Sequence, residues 1–365
     1  MNFSKNKRVL VAMSGGVDSS VAAALLKEAG FEVIGVFMKF WTEPEKDSFF
    51  STWNRCCSPE AEKTARKVAN ILDIPIYVFD FKREFKNKIV DVFLKKTKKG
   101  VTPNPCVLCN REIKFGLLLK KAKTLGANFI ATGHYARLKG KEDKTSLMKA
   151  KDKKKDQSYF LWKLGQHQLK HILFPVGGYT KIEVRKMAKG FKLGLSKIPE
   201  SQEICFIQTT TNNFLKKFLK TKPGKIINAS KKVIGQHQGL WFYTIGQRKG
   251  IIPHLNNRWK AEGPFYVLDK DLKKNLLIVV KNKKDLYKKE IVLKNVNWIS
   301  GKLSKLPIKV KTKIRYRHEA AEAVVSKLRT GKYRLEFKKP QLAVTPGQSA
   351  VFYKRNEVLG GGIIC

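Results

Sequence analysis

Residues 9–26 read VLVAMSGGVDSSVAAALL, a wholly apolar run, a Gly-Gly turn flanked by serines, and then a helical stretch rich in alanine. That order leaves few folds open. A strand with no polar alternation is covered on both faces, as the strands of parallel sheets are. A strand that passes through glycines into a helix N-terminus makes an anion cradle, because the glycines let the backbone approach closely and the first helical N–H groups lack partners. Ala12, Met13, Ser14, Gly15, Gly16, Val17, Asp18 and Ser19 are therefore read as a phosphate loop. The loop is not a Walker A motif, because the lysine that grips a transferred γ-phosphate is missing. Pyrophosphate held without that grip suits attack at the α-phosphate, which leaves AMP on the acceptor. Asp18 puts a negative charge where phosphates belong; it is read either as a site for a bridging Mg²⁺ or as a cap of the helix.

The same alternation continues to about residue 135. RVLVAM, VIGVFM, IYVF and FIATGH read as buried parallel strands, and SSVAAALLKEAG, EAEKTARKVANILD and IKFGLLLKKAKTLG as covering helices. This pattern predicts an α/β fold with a doubly wound parallel sheet, whose ligand lies at the carboxyl ends of the strands. Beyond about residue 210 the texture changes to short period-2 strands such as PFYVLDKD, NLLIVV, KVKTKIRYR and SAVFYK, separated by Gly, Pro and Lys turns. The expected division is a nucleotide-binding domain over 1–209, a small linking domain over 210–275 and a C-terminal β-barrel over 276–365.

Charge points to a polyanionic partner. The 75 Lys and Arg face 29 Asp and Glu, for a net charge of +46, enough to attract nucleic acid, although lysine scattered through KDKKKD and KNKKDLYKK also fits a compositional bias. No apolar run reaches the roughly 18 residues of a membrane span, and MNFSKNKRVLVAM does not read as a signal peptide, so a cytoplasmic protein is expected. Six cysteines are too few and too irregularly spaced for a disulfide scaffold.

Two of those cysteines, Cys106 and Cys109, lie in TPNPCVLCNREIKFG, a Pro-Asn-Pro turn running into a helix expected to start near Glu112. The pair fits half a zinc site, a redox couple, part of an iron–sulfur ligand set with Cys205, or one working thiol beside a bystander. Placed just before the helix, Cys109 would gain thiolate character from the free N–H groups. Cys205, in SQEICFI, reads as a strand residue. His134 follows a strand end in ATGHYAR, where a site residue of a parallel sheet belongs. Arg315, Tyr316 and Arg317, read as a strand, join charge to a stacking ring and suit either an RNA surface or a solvated face. Cys56 and Cys57 are expected in a loop.

The SGGVDS loop resembles that of the PP-loop ATP pyrophosphatases. NPCVLCNREIKFG, ATGHYAR, KDQSYFLW, FPVGGYTKIEVRKMA, SQEICFI, GQHQGLWFYTIGQRKG, KTKIRYRH and TPGQSAVFY, taken in order, resemble the bacterial tRNA-specific 2-thiouridylases from the first strand almost to the C-terminus. The resemblance implies that ATP adenylates the C2 oxygen of a wobble uridine in tRNA and that a protein persulfide then delivers sulfur. It places Ala12 to Ser19, Met38 and Gly133 around ATP, the nucleophile on Cys109 and the persulfide on Cys205, with a disulfide between those two as the oxidised state. It implies tRNA contacts at Asn104, Pro105, position 106, His134, Lys155, Asp156, Gln157, Arg315, Tyr316 and Gln348. It also implies a persulfide donor such as a cysteine desulfurase or a sulfur-relay protein, and no resident metal beyond Mg²⁺. The chain departs from the family at Cys106, where Asp is usual. Two other functions suit part of the chain: a PP-loop ligase acting on a small molecule, and an RNA-binding module with an idle nucleotide fold.

Overall fold

Three sheets organise the chain in a computed structural model that describes residues 7–43, 58–141, 144–195, 204–251, 264–301 and 305–365. The first is built from β1 (Arg8–Ala12), β2 (Glu32–Lys39), β3 (Ile76–Asp80) and β4 (Phe129–Thr132). A hairpin of β5 (Ala136–Lys141) and β6 (Lys144–Lys149) then leaves this sheet, and the short β7 (Ile172–Leu173) returns to it. The order is β3-β2-β1-β4-β7, with every pairing parallel.

The apolar β1 is explained by its two covered faces. Leu10 and Ala12 join one core cluster, whereas Val9, Val11 and Met13 join another on the opposite side. Helix α1 (Val17–Glu28) closes the second cluster with Val21, Ala22, Ala23 and Leu26, and α2 (Pro59–Ile71) adds Ala61, Ala65 and Val68. Strand order reverses between β1 and β4, so their carboxyl ends diverge and leave a crevice there.

The second sheet holds β8 (Gly224–Ile227), β9 (Val233–His237), β10 (Tyr266–Asp271) and β11 (Leu276–Val280), in the order β10-β11-β8-β9. This sheet runs across the expected boundary between residues 275 and 276. β10 and β11 form one antiparallel hairpin, and β11 also pairs with β8, so the linking domain extends through Val280.

The third sheet comprises β12 (Tyr287–Trp298), β13 (Ile308–Lys313), β14 (Ala321–Lys327), β15 (Tyr333–Leu342), β16 (Ser349–Lys354) and β17 (Glu357–Ile364). β12 pairs with both β15 and β17, which closes these six strands into an antiparallel barrel around Leu293, Val325, Leu335 and Phe352. The β5–β6 hairpin of the first domain is added to its outside, where Leu147 pairs with Val358. The doubly wound domain, small linking domain and barrel are the expected architecture. Arg315, Tyr316 and Arg317, expected on a strand, instead form a turn after β13, which ends at Lys313.

Candidate active site

Phosphate seat and thiol helix are built at the same end of the first sheet. After β1 the Met13 amide still bonds to the Val36 carbonyl of β2 (2.8 Å), and the chain then turns. The Ser14 amide donates to Ser19 Oγ (3.2 Å), and the Ser19 and Ser20 hydroxyls donate to the Gly16 carbonyl (3.1 and 2.9 Å). Gly15 is required by its φ of +71° and by the Ala61 carbonyl, which would stand 2.4 Å from any Cβ. Gly16 caps α1 without a side-chain hydrogen bond, so the first helical amides are left for an anion. Met38 lies near the end of β2, and with Ala12 and Cys109 it belongs to one apolar cluster.

Asp18, in the first turn of α1, accepts from Lys181 Nζ (2.6 Å) and from the Tyr135 hydroxyl (2.8 Å). The carboxylate read as a Mg²⁺ site or a helix cap therefore already has an ammonium partner. Lys181 is first in its helix, Lys181–Gly190, where Thr180 and Glu183 form a reciprocal cap: the Glu183 amide donates to Thr180 Oγ1 (3.3 Å) and the Thr180 amide to Glu183 Oε2 (2.5 Å). That cap fixes where the lysine starts. Sequence reading missed Lys181 as a site residue. The available signal was T-K-I-E, a capping box whose second residue is basic.

Gly133 follows β4 and lies against the phosphate loop; a Cβ there would come within 2.6 Å of the Ser19 amide nitrogen and 2.7 Å of the Asp18 carbonyl carbon. His134 comes next. Its Nδ1 lies 2.8 Å from Thr132 Oγ1, and its ring sits 5.7 Å from Phe115 and 6.1 Å from Phe174. Desolvation, with Lys114 adding to it, holds the imidazole pKa well below its ordinary value, so His134 is neutral near pH 7.

The thiol helix begins earlier than expected. Asn104 is its cap, accepting from the Val107 amide (3.4 Å), and Pro105 is its first residue. The segment Pro105–Cys109 continues through a π-helical stretch, Asn110–Leu117, into Leu118–Thr124. Cys106 is therefore in the first turn and Cys109 lies beyond it, which reverses the expectation that Cys109 stands nearer the free N–H groups. Asn-Pro is itself a helix-start signal. Burial pushes the Cys106 thiol above its ordinary pKa, while Lys114 pulls it down. Cys109 is buried in the apolar cluster against which Ile204 and Cys205 also pack. Cys205 is in a turn and not on a strand, held by the neighbouring Phe206 between Phe85 and Phe93 (5.9 and 5.6 Å). Cys106, Cys109 and Cys205 are all free of disulfides. Cys56 and Cys57 lie outside the described residues. Among the described residues no group of three or more His, Cys, Asp and Glu converges as a metal-ligand set.

The remaining candidates line the seam between the first domain and the barrel. Tyr316 packs on Phe160 (4.5 Å) and Tyr159 (6.1 Å). The Phe160 carbonyl also accepts from Asn110 Nδ2 (3.2 Å) on the thiol helix. Gln348 donates from Nε2 to the Thr102 carbonyl (3.0 Å), and the Thr102 amide donates to the Pro346 carbonyl (2.9 Å), so the barrel grips the loop that precedes the thiol helix. Arg315 donates to the Ala343 carbonyl and to Thr345 Oγ1 (3.1 Å). Asp156 and Gln157 use side-chain oxygens on backbone amides, Asp156 on Ala150 and Ser158 and Gln157 on Tyr135, and so shape the turn that carries the half-buried Lys155. No helix among the described residues is long and apolar enough to cross a membrane.

Comparison with known proteins covers the whole chain. Models described as the tRNA methyl transferase HUP domain, the tRNA methyl transferase PRC-barrel domain and the aminomethyltransferase beta-barrel domain match residues 7–209, 212–281 and 288–364. A Thermoanaerobacter sp. (strain X514) protein called tRNA-specific 2-thiouridylase MnmA 2 is 47% identical over 365 residues, 98% of each chain. The proteins called tRNA-specific 2-thiouridylase MnmA from Coxiella burnetii and Thermus thermophilus are 45% and 44% identical, over 100% and 98% of this chain and 99% and 95% of theirs. With three domain models matched in chain order and relatives of this similarity along its full length, the chain belongs to the MnmA family of tRNA-specific 2-thiouridylases.

Proposed function

We propose that this protein is a tRNA-uridine 2-sulfurtransferase. It uses ATP to activate the C2 oxygen of the wobble uridine and a cysteine persulfide to replace that oxygen with sulfur. One observation carries the reading: a phosphate loop built for α-phosphate chemistry and a helix bearing Cys109 share one crevice, joined by Gly133 and His134. Uracil C2 is a poor electrophile until its oxygen is a phosphate ester, and a thiol cannot displace oxide unaided. The two halves are chemically incomplete apart.

In the first step the uridine O2 attacks the ATP α-phosphorus, the bond to the β-phosphate breaks, and pyrophosphate leaves. Backbone amides of α1 and the Ser14 hydroxyl hold the phosphates, with Ser19 bracing the loop through the Gly16 carbonyl. Asp18 provides the hard carboxylate oxygen that suits Mg²⁺; when bound, that ion would neutralise phosphate charge, and Lys181 would have to yield part of its hold on Asp18. In the second step the terminal sulfur of a Cys205 persulfide bonds to C2. Cys109 thiolate then attacks the inner sulfur, the S–S bond breaks, AMP leaves with the former O2, and a Cys109–Cys205 disulfide remains for an external thiol to reduce. The persulfide itself comes from a sulfur donor such as a cysteine desulfurase or a relay protein. The apolar surroundings of both cysteines exclude water, which would otherwise hydrolyse the adenylate.

The target base is recognised by Asn104, Pro105, Cys106 and His134, and the tRNA body by Lys155, Asp156, Gln157, Arg315, Tyr316 and Gln348 along the seam. Asp156 and Gln157 act through the turn they shape. A cytoplasmic location follows from the substrate. The test is nucleoside mass spectrometry of unmodified tRNA incubated with the protein, ATP, Mg²⁺, a reducing thiol and a persulfide donor, a cysteine desulfurase with its cysteine substrate. The expected result is 2-thiouridine with pyrophosphate release that requires tRNA. Pyrophosphate release without tRNA and no thiolated nucleoside would refute the proposal.

A further inference from the structure

Behind the thiol helix the structure gathers positive charge that the nearby carboxylates only partly balance. A shallow surface cleft opens between the helix Asp91–Lys98, the start of the thiol helix and the barrel; Lys96, Asn104, Pro105, Leu108, Trp162 and Lys163 are among the residues that line it. Both lysines are half-buried, and among the described residues neither forms an ion pair. The Lys163 ammonium lies 5.4 Å over the Trp162 ring. Trp162 is fully buried, and its Nε1–H has no acceptor among the described residues.

The electrostatics agree with the geometry. Burial lowers the Lys163 pKa to about 8, helped by repulsion from Arg111 and Lys96, and Lys96 is lowered by burial and by Lys294 of β12. The carboxylate acting on Lys163 is Glu112, which lies 3.6 Å from Arg111. Lys96 and Lys163 therefore line one cleft, repel each other, and are repelled further by Arg111 and Lys294, with Glu112 as the carboxylate acting on Lys163. Holding like charges together where water is scarce is unfavourable, and an anion placed among them would return that cost.

We infer that Lys96 and Lys163 form a phosphate-binding subsite that clamps the tRNA backbone beside the nucleotide being modified. This inference rests on the function proposed above. A nucleic acid is favoured over a free anion because the cleft shares Asn104 and Pro105 with the base-recognition loop, and Gly347, the neighbour of Gln348, lines it too. A strand entering along the seam would meet the cleft without leaving the protein surface. ATP phosphates are placed elsewhere, at the loop after β1.

The experiment measures binding of unmodified tRNA to the full-length protein by fluorescence anisotropy over a range of salt. The double variant Lys96→Gln/Lys163→Gln should bind about tenfold more weakly or worse, with the slope of log affinity against log salt reduced by about one to two units, because each lost phosphate contact releases fewer counterions. Affinity for an ATP analogue without tRNA should not change, and Lys96→Arg/Lys163→Arg should restore the slope. Unchanged affinity and slope in the Gln variant would overturn the inference. So would stabilisation of the wild type by millimolar inorganic phosphate that is lost in a variant whose tRNA binding is intact, since the site would then serve a free anion. If the double variant folds poorly, Lys96→Gln alone decides, by a slope reduced by about one unit or left unchanged. Absence of 2-thiouridine formation by the wild type would count against the proposed function instead, and is read independently of binding.

Discussion

Asp18 and Lys181 show what a local motif reveals and what it hides. SGGVDS announces a phosphate seat because strand, turn and helix are contiguous, whereas the partner of Asp18 lies 163 positions away and only folding brings it to 2.6 Å. Lys181 sets an ammonium against Asp18 beside a loop that has no lysine of the Walker A kind. Lys181→Met should therefore leave a partly buried carboxylate uncompensated beside the phosphates and reduce tRNA-dependent pyrophosphate release by about a hundredfold, chiefly through ATP affinity. Lys181→Arg should recover part of the loss, and tRNA binding should persist in both. Equal ATP affinity in Lys181→Met would show that the ion pair has only a structural role. Cys106 makes the complementary point. The expectation that the helix start favours Cys109 fails, because Cys106 occupies the second helical position. That same position favours the residue usual in the family: a carboxylate in the first turn, near Lys114, is stabilised by the free amides. Cys106→Asp should keep most 2-thiouridine formation, whereas Cys109→Ser and Cys205→Ser should each abolish it. Loss of activity in Cys106→Asp would give that thiol a chemical role.

At the scale of elements, periodicity located the parallel strands well, because β1, β2 and β4 are buried on two faces and say so in their composition, while the edge strand β3 keeps an apolar sequence although Tyr77 is exposed. It failed where a short segment is set by its neighbours. Ile204 and Phe206 flank Cys205 as in a strand, but Phe206 is anchored between Phe85 and Phe93 and bends the chain into a turn. The helix Lys181–Gly190 joins this scale to the site, because its cap determines where Lys181 begins. Glu183 is held down to about 2 by the Thr180 amide and by Lys151, whose Nζ lies 2.9 Å away. A carboxylate with a depressed pKa contributes stability above its unfolded value of 4.5, and this contribution is lost as pH falls from there through about 2. Thr180→Ala removes the other half of the cap and should cost about 1 kcal/mol of stability. If the cap positions Lys181, that variant should also raise the KM for ATP at pH 7 with little change in tRNA affinity. An unchanged KM alongside the lowered melting temperature would separate helix stability from phosphate binding.

Across the whole molecule, the barrel and the linking domain act on chemistry they do not contain. A closed barrel was legible from its strands, but not that its Thr345–Gln348 turn would hold the loop before the thiol helix, since that contact spans some 246 residues of sequence. The linking domain reaches the same loop, with Lys270 Nζ donating to the Gly100 carbonyl (2.8 Å). Residues 100–105 are thus held from two domains while the helix they introduce belongs to the third. An RNA that bridges linking domain, barrel and first domain would bear on the segment that carries Asn104 and Cys106. Gly347 is the narrowest part of this arrangement: its φ is +90°, and a Cβ would lie 3.0 Å from the backbone atoms of Thr102. Alanine there carries a left-handed strain of about 1–2 kcal/mol and pushes Thr102 away from the Pro346 carbonyl. Gly347→Ala should lower the rate of 2-thiouridine formation at saturating tRNA by about tenfold or more, with ATP-analogue affinity unchanged because the phosphate loop is built without the barrel. Measuring both on one preparation distinguishes a displaced thiol helix from general unfolding. Wild-type turnover would mean that the first domain alone fixes the helix and that the barrel serves only to hold RNA.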